Sequence, residues 1–171
     1  MPDDAALFEL ATRVGRRLLA SGRRMVTAES CTAGWIAKAM TDVAGSSQWF
    51  ESGYVTYSNA AKVRDLGVSQ QTLDAHGAVS EQTVREMARG ALLRVPTADV
   101  AVAVSGIAGP NGGVPGKPVG TVWFAIACKR GDDVAVDARR QLFERDREAI
   151  RRRAVEYALE LVLQLELPRK T

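Results

Sequence analysis

Histidine is almost absent from this chain. His76 is the only one in 171 residues, and Cys31 and Cys128 are the only cysteines. A Ser-His-Asp or Cys-His mechanism would have to run through His76. The two cysteines lie far apart and lack metal-ligand spacing, which argues against a zinc site built from Cys and His clusters. Both are expected to be reduced, as in a cytosolic chain. Hydrolytic chemistry here needs another base: Lys, Tyr, Asp or Glu.

Long apolar runs are also missing. None reaches the roughly 18 residues of a membrane-spanning helix. The opening stretch MPDDAALFELATRVGRRL puts its acids first and lacks the apolar core of a secretory leader. The expectation is a cytoplasmic protein with no membrane partner. An excess of charge of one sign is missing as well, the net being only +3, so nothing demands non-specific nucleic-acid binding. No nucleic-acid-binding module is recognisable. The basic residues do gather late: RRQLFERDREAIRRR (139–153) holds seven arginines and three acids. On charge pattern it is a solvated helix face laced with ion pairs, or a source of one or two guanidiniums for an anion.

What is present suits a globular chain. Apolar residues make up 46% and charged residues 25%, enough of the former to build a core. The length fits one domain spanning residues 1–171, with no repeat, linker or composition shift. Apolar spacing predicts a helix over 4–20, with Leu7, Leu10, Ala11, Val14 and Leu18 on one face. A strand over 24–29 follows, then a helix starting near Cys31 or Thr32 and broken by GSS (45–47). GYVTYS (53–58) is a predicted strand, followed by short helices at 59–66 and 69–76. Ser80 caps a helix that runs to about Arg94. VAVAVSG (100–106) is an unbroken apolar run, as in a strand covered on both faces. Strands over 119–128 and 134–143 form a hairpin through RGDD, and a last helix covers about 146–165. The predicted class is α/β, with a mixed sheet covered by helices on both faces.

Three loops carry candidate chemistry. AESCTAG (28–34) joins a strand to a helix, where unpaired backbone N–H groups and the helix dipole favour an anion. It serves equally as a plain helix cap or as the seat of a nucleophilic Ser30 at a sharp turn. YVTYSNAAK (54–62) places Tyr57 at a strand end, Asn59 as a candidate cap and Lys62 one turn on. A lysine in a dry pocket loses its proton near neutral pH and becomes a base; on a surface helix it does not. SGIAGPNGGVPGKPVGT (105–121) follows the buried strand at its carboxyl end, where open α/β sheets bind ligands. Its Gly106, Gly109, Gly112 and Gly113 let backbone N–H groups approach an anion. Neither a Walker A loop nor a GxGxxG fingerprint occurs.

Taken together, TAESCTAG, VTYSNAAK, HGAVSE, SGIAGP, NGG and KPVGTVWF resemble the CinA C-terminal domain family, whose members include nicotinamide-nucleotide amidohydrolases. The likeness runs from about residue 8 to 165, and FERDREAIRRRAVEYAL resembles the family's closing arginine helix. Longer members carry a further N-terminal domain; this chain is similar to the stand-alone form. The resemblance implies a three-layer α/β/α sandwich with a mixed, largely parallel sheet, usually in a homo-oligomer. It implies hydrolysis of the carboxamide of nicotinamide mononucleotide to nicotinic acid mononucleotide and ammonia, in pyridine nucleotide salvage, with no metal or organic cofactor. Two departures stand out. Ala33 replaces a common glycine in CTAG, adding a methyl at the helix start, and Arg145 stands where glycine is common, adding charge beside Arg147.

The resemblance points to Ser30 as nucleophile, with Lys62 as its base and Tyr57 between them. The N–H groups of Cys31 and Thr32 would hold the oxyanion. Candidates for the 5′-phosphate are Ser46, Ser47, Ser105, the Gly106–Gly113 backbone, Arg147 and Arg151. Glu29 would orient Lys62 or activate water directly, and Cys31 is a rival nucleophile. Two other functions stay open: a non-catalytic nucleotide-binding or regulatory module, and a nucleic-acid-associated protein.

Overall fold

The computed structural model describes residues 1–170; Thr171, the last residue of the expected domain, lies outside the described residues. The chain runs α1 (Asp4–Ser21), β1 (Met25–Glu29), α2 (Trp35–Thr41), β2 (Phe50–Val55), α3 (Asn59–Leu66), α4 (Gln70–His76), α5 (Glu81–Arg94), β3 (Val100–Gly106), β4 (Thr121–Arg130), β5 (Asp133–Leu142) and α6 (Arg147–Gln164), with one 3-10 turn at Ser46–Gln48. The five strands form one sheet in the order β2-β1-β3-β4-β5. β1 is parallel to β2 and to β3; the β3–β4 and β4–β5 pairs are antiparallel. The sheet is mixed, as expected, but not largely parallel: β3, β4 and β5 follow one another as antiparallel neighbours, so two of the four strand pairs are parallel and two antiparallel. Among the described residues no helix is long and apolar enough to cross a membrane.

Strand alternation sorts the core into two layers. On one face Val100, Val102 and Val104 of β3 and Val122, Phe124 and Ile126 of β4 pack under α1, α2 and α6. On the other face the same strands present Ala101, Ala103, Ala125 and Ala127 to α5 and its neighbours. Large side chains on one face and small ones on the other let α5 lie close to the sheet. The predicted apolar face of α1, Leu7, Leu10, Ala11, Val14 and Leu18, is buried as expected.

α3 also sits close to α5. A Cβ on Gly90 would stand 1.9 Å from the carbonyl oxygen of Leu66, a distance no side chain tolerates. That contact sets the depth of α3, and with it the position of Lys62.

Three boundaries differ from expectation. α2 starts at Trp35 rather than near Cys31, because Ser30–Gly34 is used up in a turn with Ala33 at φ 52° and Gly34 at φ 89°. β2 covers Phe50–Val55 rather than 53–58. Pairing ends where the Thr56 N–H donates to the Glu29 carbonyl (2.8 Å), and Ser58 then caps α3 by accepting from the Ala61 N–H. Ser58, not Asn59, is therefore the cap. β4 begins at Thr121, two residues late.

Candidate active site

β1 and β3 end side by side, and their pairing continues one step further: the Ser30 N–H donates to the Val104 carbonyl at 3.0 Å. In extended backbone, neighbouring side chains face opposite sides of a sheet. Glu29 therefore turns toward α2 and Ser30 toward α3. Lys62, four residues into α3, reaches back across the end of β1. Its Nζ lies 2.9 Å from Ser30 Oγ, 2.7 Å from the Thr56 carbonyl oxygen and 3.3 Å from the Tyr57 carbonyl oxygen.

Lys62 is only 1% exposed, and none of these partners is a carboxylate. Burial without a counter-ion disfavours the ammonium and brings its pKa down from 10.5 to about 8. When neutral, the amine can donate to the two carbonyls and turn its lone pair to the serine hydroxyl. Cys31 experiences the reverse. Burial pushes its thiol up to about 12, so the thiolate is not formed near neutral pH.

Ser30 and Lys62 open into a cavity of about 280 Å³. The Gly-rich loop after β3 supplies one wall, Ala78 and Val79 another, and Tyr57 and Arg147 stand at its edge. Arg147 opens α6 behind the Asp146 cap, exposed; its guanidinium donates to the Gly109 carbonyl (2.7 Å) and to the Tyr57 hydroxyl (3.2 Å).

Of the residues expected here, the cavity gathers Ser30, Cys31, Tyr57, Lys62, Ser105, Gly106, Gly109, Gly112 and Arg147. Others lie elsewhere. The Glu29 carboxylate is fully buried and accepts from Thr32 Oγ1 (2.7 Å) and from the N–H groups of Gly34, Ile36 and Ala37 (2.9–3.0 Å). It caps the turn and α2, with three of these bonds on Oε2 and one on Oε1, and it contacts neither Lys62 nor the cavity. The Thr32 side chain is taken up by the same carboxylate. Ser46 and Ser47 precede β2, at the amino ends of the parallel strands, a full strand length from Ser30. Asn59 is exposed on the first turn of α3, and neither it nor Gly113 lines the cavity.

Arg151 stands behind the turn. Its Nε donates to the Cys31 carbonyl (2.9 Å) and its Nη2 to the Thr32 carbonyl (3.0 Å), while the Trp35 ring stacks 5.3 Å away. Its donors face backbone rather than a ligand. Tyr57 is 59% exposed and its phenol rests on Arg147; only the Tyr57 carbonyl touches Lys62, so the phenol is not interposed between base and serine. His76 lies at the end of α4, outside this cavity.

Sequence reasoning passed over Ala78, Val79, Ile107, Ala108 and Asn111 in the wall. All five fall inside HGAVSE and SGIAGPNGG, which were singled out as motifs. It also passed over Thr56, whose contribution is a carbonyl and leaves no side-chain signal.

Fold and site define an α/β/α protein that holds a buried serine–lysine pair in a cavity sized for part of a small molecule, at the carboxyl ends of two parallel strands. The model of the CinA C-terminal domain matches residues 7–165, and the chain belongs to that family. It is 55% identical over 161 residues to the nicotinamide-nucleotide amidohydrolase PncC of Escherichia coli K12, covering 94% of this chain and 95% of that protein. It is 54% identical to the enzyme of the same name from Pseudomonas putida, over 91% of this chain and 94% of that protein. A crystal structure of a competence-damaged protein (CinA) superfamily protein from Escherichia coli superposes with a TM-score of 0.89 at 38% identity, covering 97% of this chain and 94% of that one.

Proposed function

We propose that this protein is a metal-independent amidohydrolase. It hydrolyses the carboxamide of nicotinamide mononucleotide to nicotinic acid mononucleotide and ammonia, in pyridine nucleotide salvage. The name of its 55%-identical relative supports the reaction class and substrate. The observation that carries the mechanism is the 2.9 Å contact between Lys62 Nζ and Ser30 Oγ, made by a lysine with no carboxylate on it.

Neutral Lys62 takes the Ser30 proton as Oγ attacks the carboxamide carbon. The N–H groups of Cys31 and Thr32 receive the oxyanion; among the described residues neither is engaged by an internal hydrogen bond. Lys62 returns the proton to the departing nitrogen, ammonia leaves, and an acyl-Ser30 ester remains. Lys62 then deprotonates a water, which attacks the ester, releases the acid and restores Ser30. The pyridinium charge makes the amide carbon more electrophilic and disfavours the ammonium form of Lys62. The nicotinamide end fills the cavity, and the 5′-phosphate stays at the mouth, where Arg147 and the Gly106–Gly112 backbone meet it. Tyr57, on Arg147, orders that guanidinium.

Ammonia release from nicotinamide mononucleotide, measured after adding a chelator, tests this. The wild type releases ammonia, and Ser30→Ala binds the nucleotide but releases none. Activity that survives in Ser30→Ala keeps the enzyme and discards the mechanism; a wild type that binds and releases nothing returns the non-catalytic module. The same proposal takes the chain as one amidohydrolase domain acting in the cytoplasm as a homo-oligomer, which light scattering on the purified protein checks.

A further inference from the structure

The geometry points to Arg151 as the residue that positions the oxyanion site, a role that rests on the amidase reading above. The turn after β1 is held from two sides. In front, Ser30 and Cys31 line the cavity. Behind, Arg151 lies outside that cavity and forks onto the carbonyls of Cys31 and Thr32.

A trans peptide points its C=O and N–H in opposite directions. Drawing the Cys31 carbonyl back toward Arg151 therefore turns the N–H of Thr32, a fully buried residue just behind the cavity lining, toward the side where Ser30 and Cys31 meet the cavity. The second arm of the fork holds the Thr32 carbonyl, whose peptide continues into the Ala33 N–H. That N–H donates to the Ser30 carbonyl at 3.1 Å, which fixes the Ser30–Cys31 peptide and aims the Cys31 N–H. Two adjacent amides are thus set by one guanidinium.

The guanidinium is itself held. It packs against Trp35, whose ring also meets Arg152 at 4.9 Å, and Arg152 is tied to Asp4 and Glu148. Glu29 secures the far end of the same turn through Gly34, Ile36 and Ala37. Backbone donors aimed in advance need no reorganisation as charge develops, which is where such sites gain their effect. Lysine cannot reproduce this, because a single ammonium lacks the planar fork that spans two carbonyls.

Two rates test the role in the wild type, Arg151→Gln and Arg151→Lys. One is steady-state ammonia release from nicotinamide mononucleotide. The other is labelling of Ser30 by an alkyl fluorophosphonate, in which Oγ bonds to phosphorus, fluoride leaves, the serine proton passes to Lys62 and the phosphoryl oxygen occupies the oxyanion site. Arg151→Gln is expected to lose about 100-fold in kcat and a similar factor in labelling, as when one oxyanion donor is removed. KM stays within about threefold, because ground-state binding is untouched. The midpoint of the rising pH limb does not move, and Arg151→Lys recovers part of the loss.

A folded Arg151→Gln with kcat within about threefold of wild type overturns the role. So does a loss confined to KM, which returns Arg151 to the phosphate. If Arg151→Gln does not fold, Arg151→Lys decides by the same split. A wild type that labels but releases no ammonia sinks the amidase reading, while the labelling ratio still tests Arg151. A wild type that does neither overturns both.

Discussion

Glu29 and Ser30 are consecutive in the chain and serve opposite faces of the sheet. The Glu29 carboxylate accepts from Thr32 Oγ1 and three backbone N–H groups on the α2 side, while Ser30 Oγ meets Lys62 on the α3 side. The first builds the turn that presents the second. Glu29→Gln replaces one acceptor oxygen with a donor facing N–H groups and should cost about 3 kcal/mol, from buried donors left unpaired. Denaturant unfolding measures it. In whatever fraction folds, the pH profile should keep its wild-type midpoint, since the proposed mechanism makes Lys62 the base and Glu29 does not reach the cavity.

The buried Lys62 predicts how rate depends on pH. With its pKa at about 8, kcat/KM rises with pH through that value as the free base forms. The profile of kcat should turn at a lower pH, because the bound pyridinium favours the neutral amine. A kcat midpoint above that of kcat/KM would contradict the electrostatics. Stability follows the same group. Its folded pKa of about 8 lies below the unfolded 10.5, so between them the unfolded state holds a proton that the folded state lacks. Lys62 therefore makes stability rise with pH from about 8, while above about pH 9 the Cys31 thiol, pushed up to about 12 in the folded state, works the other way; the rise is read between those two values and should vanish in Lys62→Met.

Cys31 lines the cavity but is held as a thiol, its pKa raised to about 12 by burial. Cys31→Ala should keep kcat within about tenfold of wild type, a loss assigned to packing rather than chemistry. Iodoacetamide at pH 8 should inactivate slowly, and no faster in the presence of substrate.

Ala33 and Arg145, the two residues that depart from the pattern the resemblance implies, have positive φ of 52° and 91°. Left-handed backbone costs a side chain about 1–2 kcal/mol, partly offset by the extra freedom that glycine loses on folding. Ala33→Gly and Arg145→Gly should each raise stability, by up to about 1 kcal/mol, read as a higher melting temperature. The sequence marks Ala33 for its added methyl and Arg145 for its added charge. Backbone conformation is the stronger reason at both.

Most helices and the central strand were legible because their signals are local. Asn59–Leu66 and Val100–Gly106 match the expected 59–66 and 100–106. The boundaries that moved belong to segments with competing claims. Ser30–Gly34 looks like a helix start by composition, yet Glu29 reaches forward and makes a turn of it first. GYVTYS has the composition of a strand through Ser58, but pairing stops at Thr56 because Ser58 is needed as the α3 cap.

For the site, the sequence by itself determined the residue types. A chain with one histidine and no metal-type cysteine spacing narrows the choice of base, and the resemblance favours Lys62 while leaving Glu29 open as an activator of water. Pairing was decided only by the tertiary structure. Lys62 and Ser30 are 32 residues apart, and their meeting depends on β1 and β3 running parallel and on α3 docking at Gly90. Arg151 shows the same limit. Its charge and its place on α6 suit a phosphate as well as a carbonyl, and a guanidinium takes whichever acceptor lies within about 3 Å. Sequence encodes what a side chain can donate; only packing of the distant elements decides what stands in front of it.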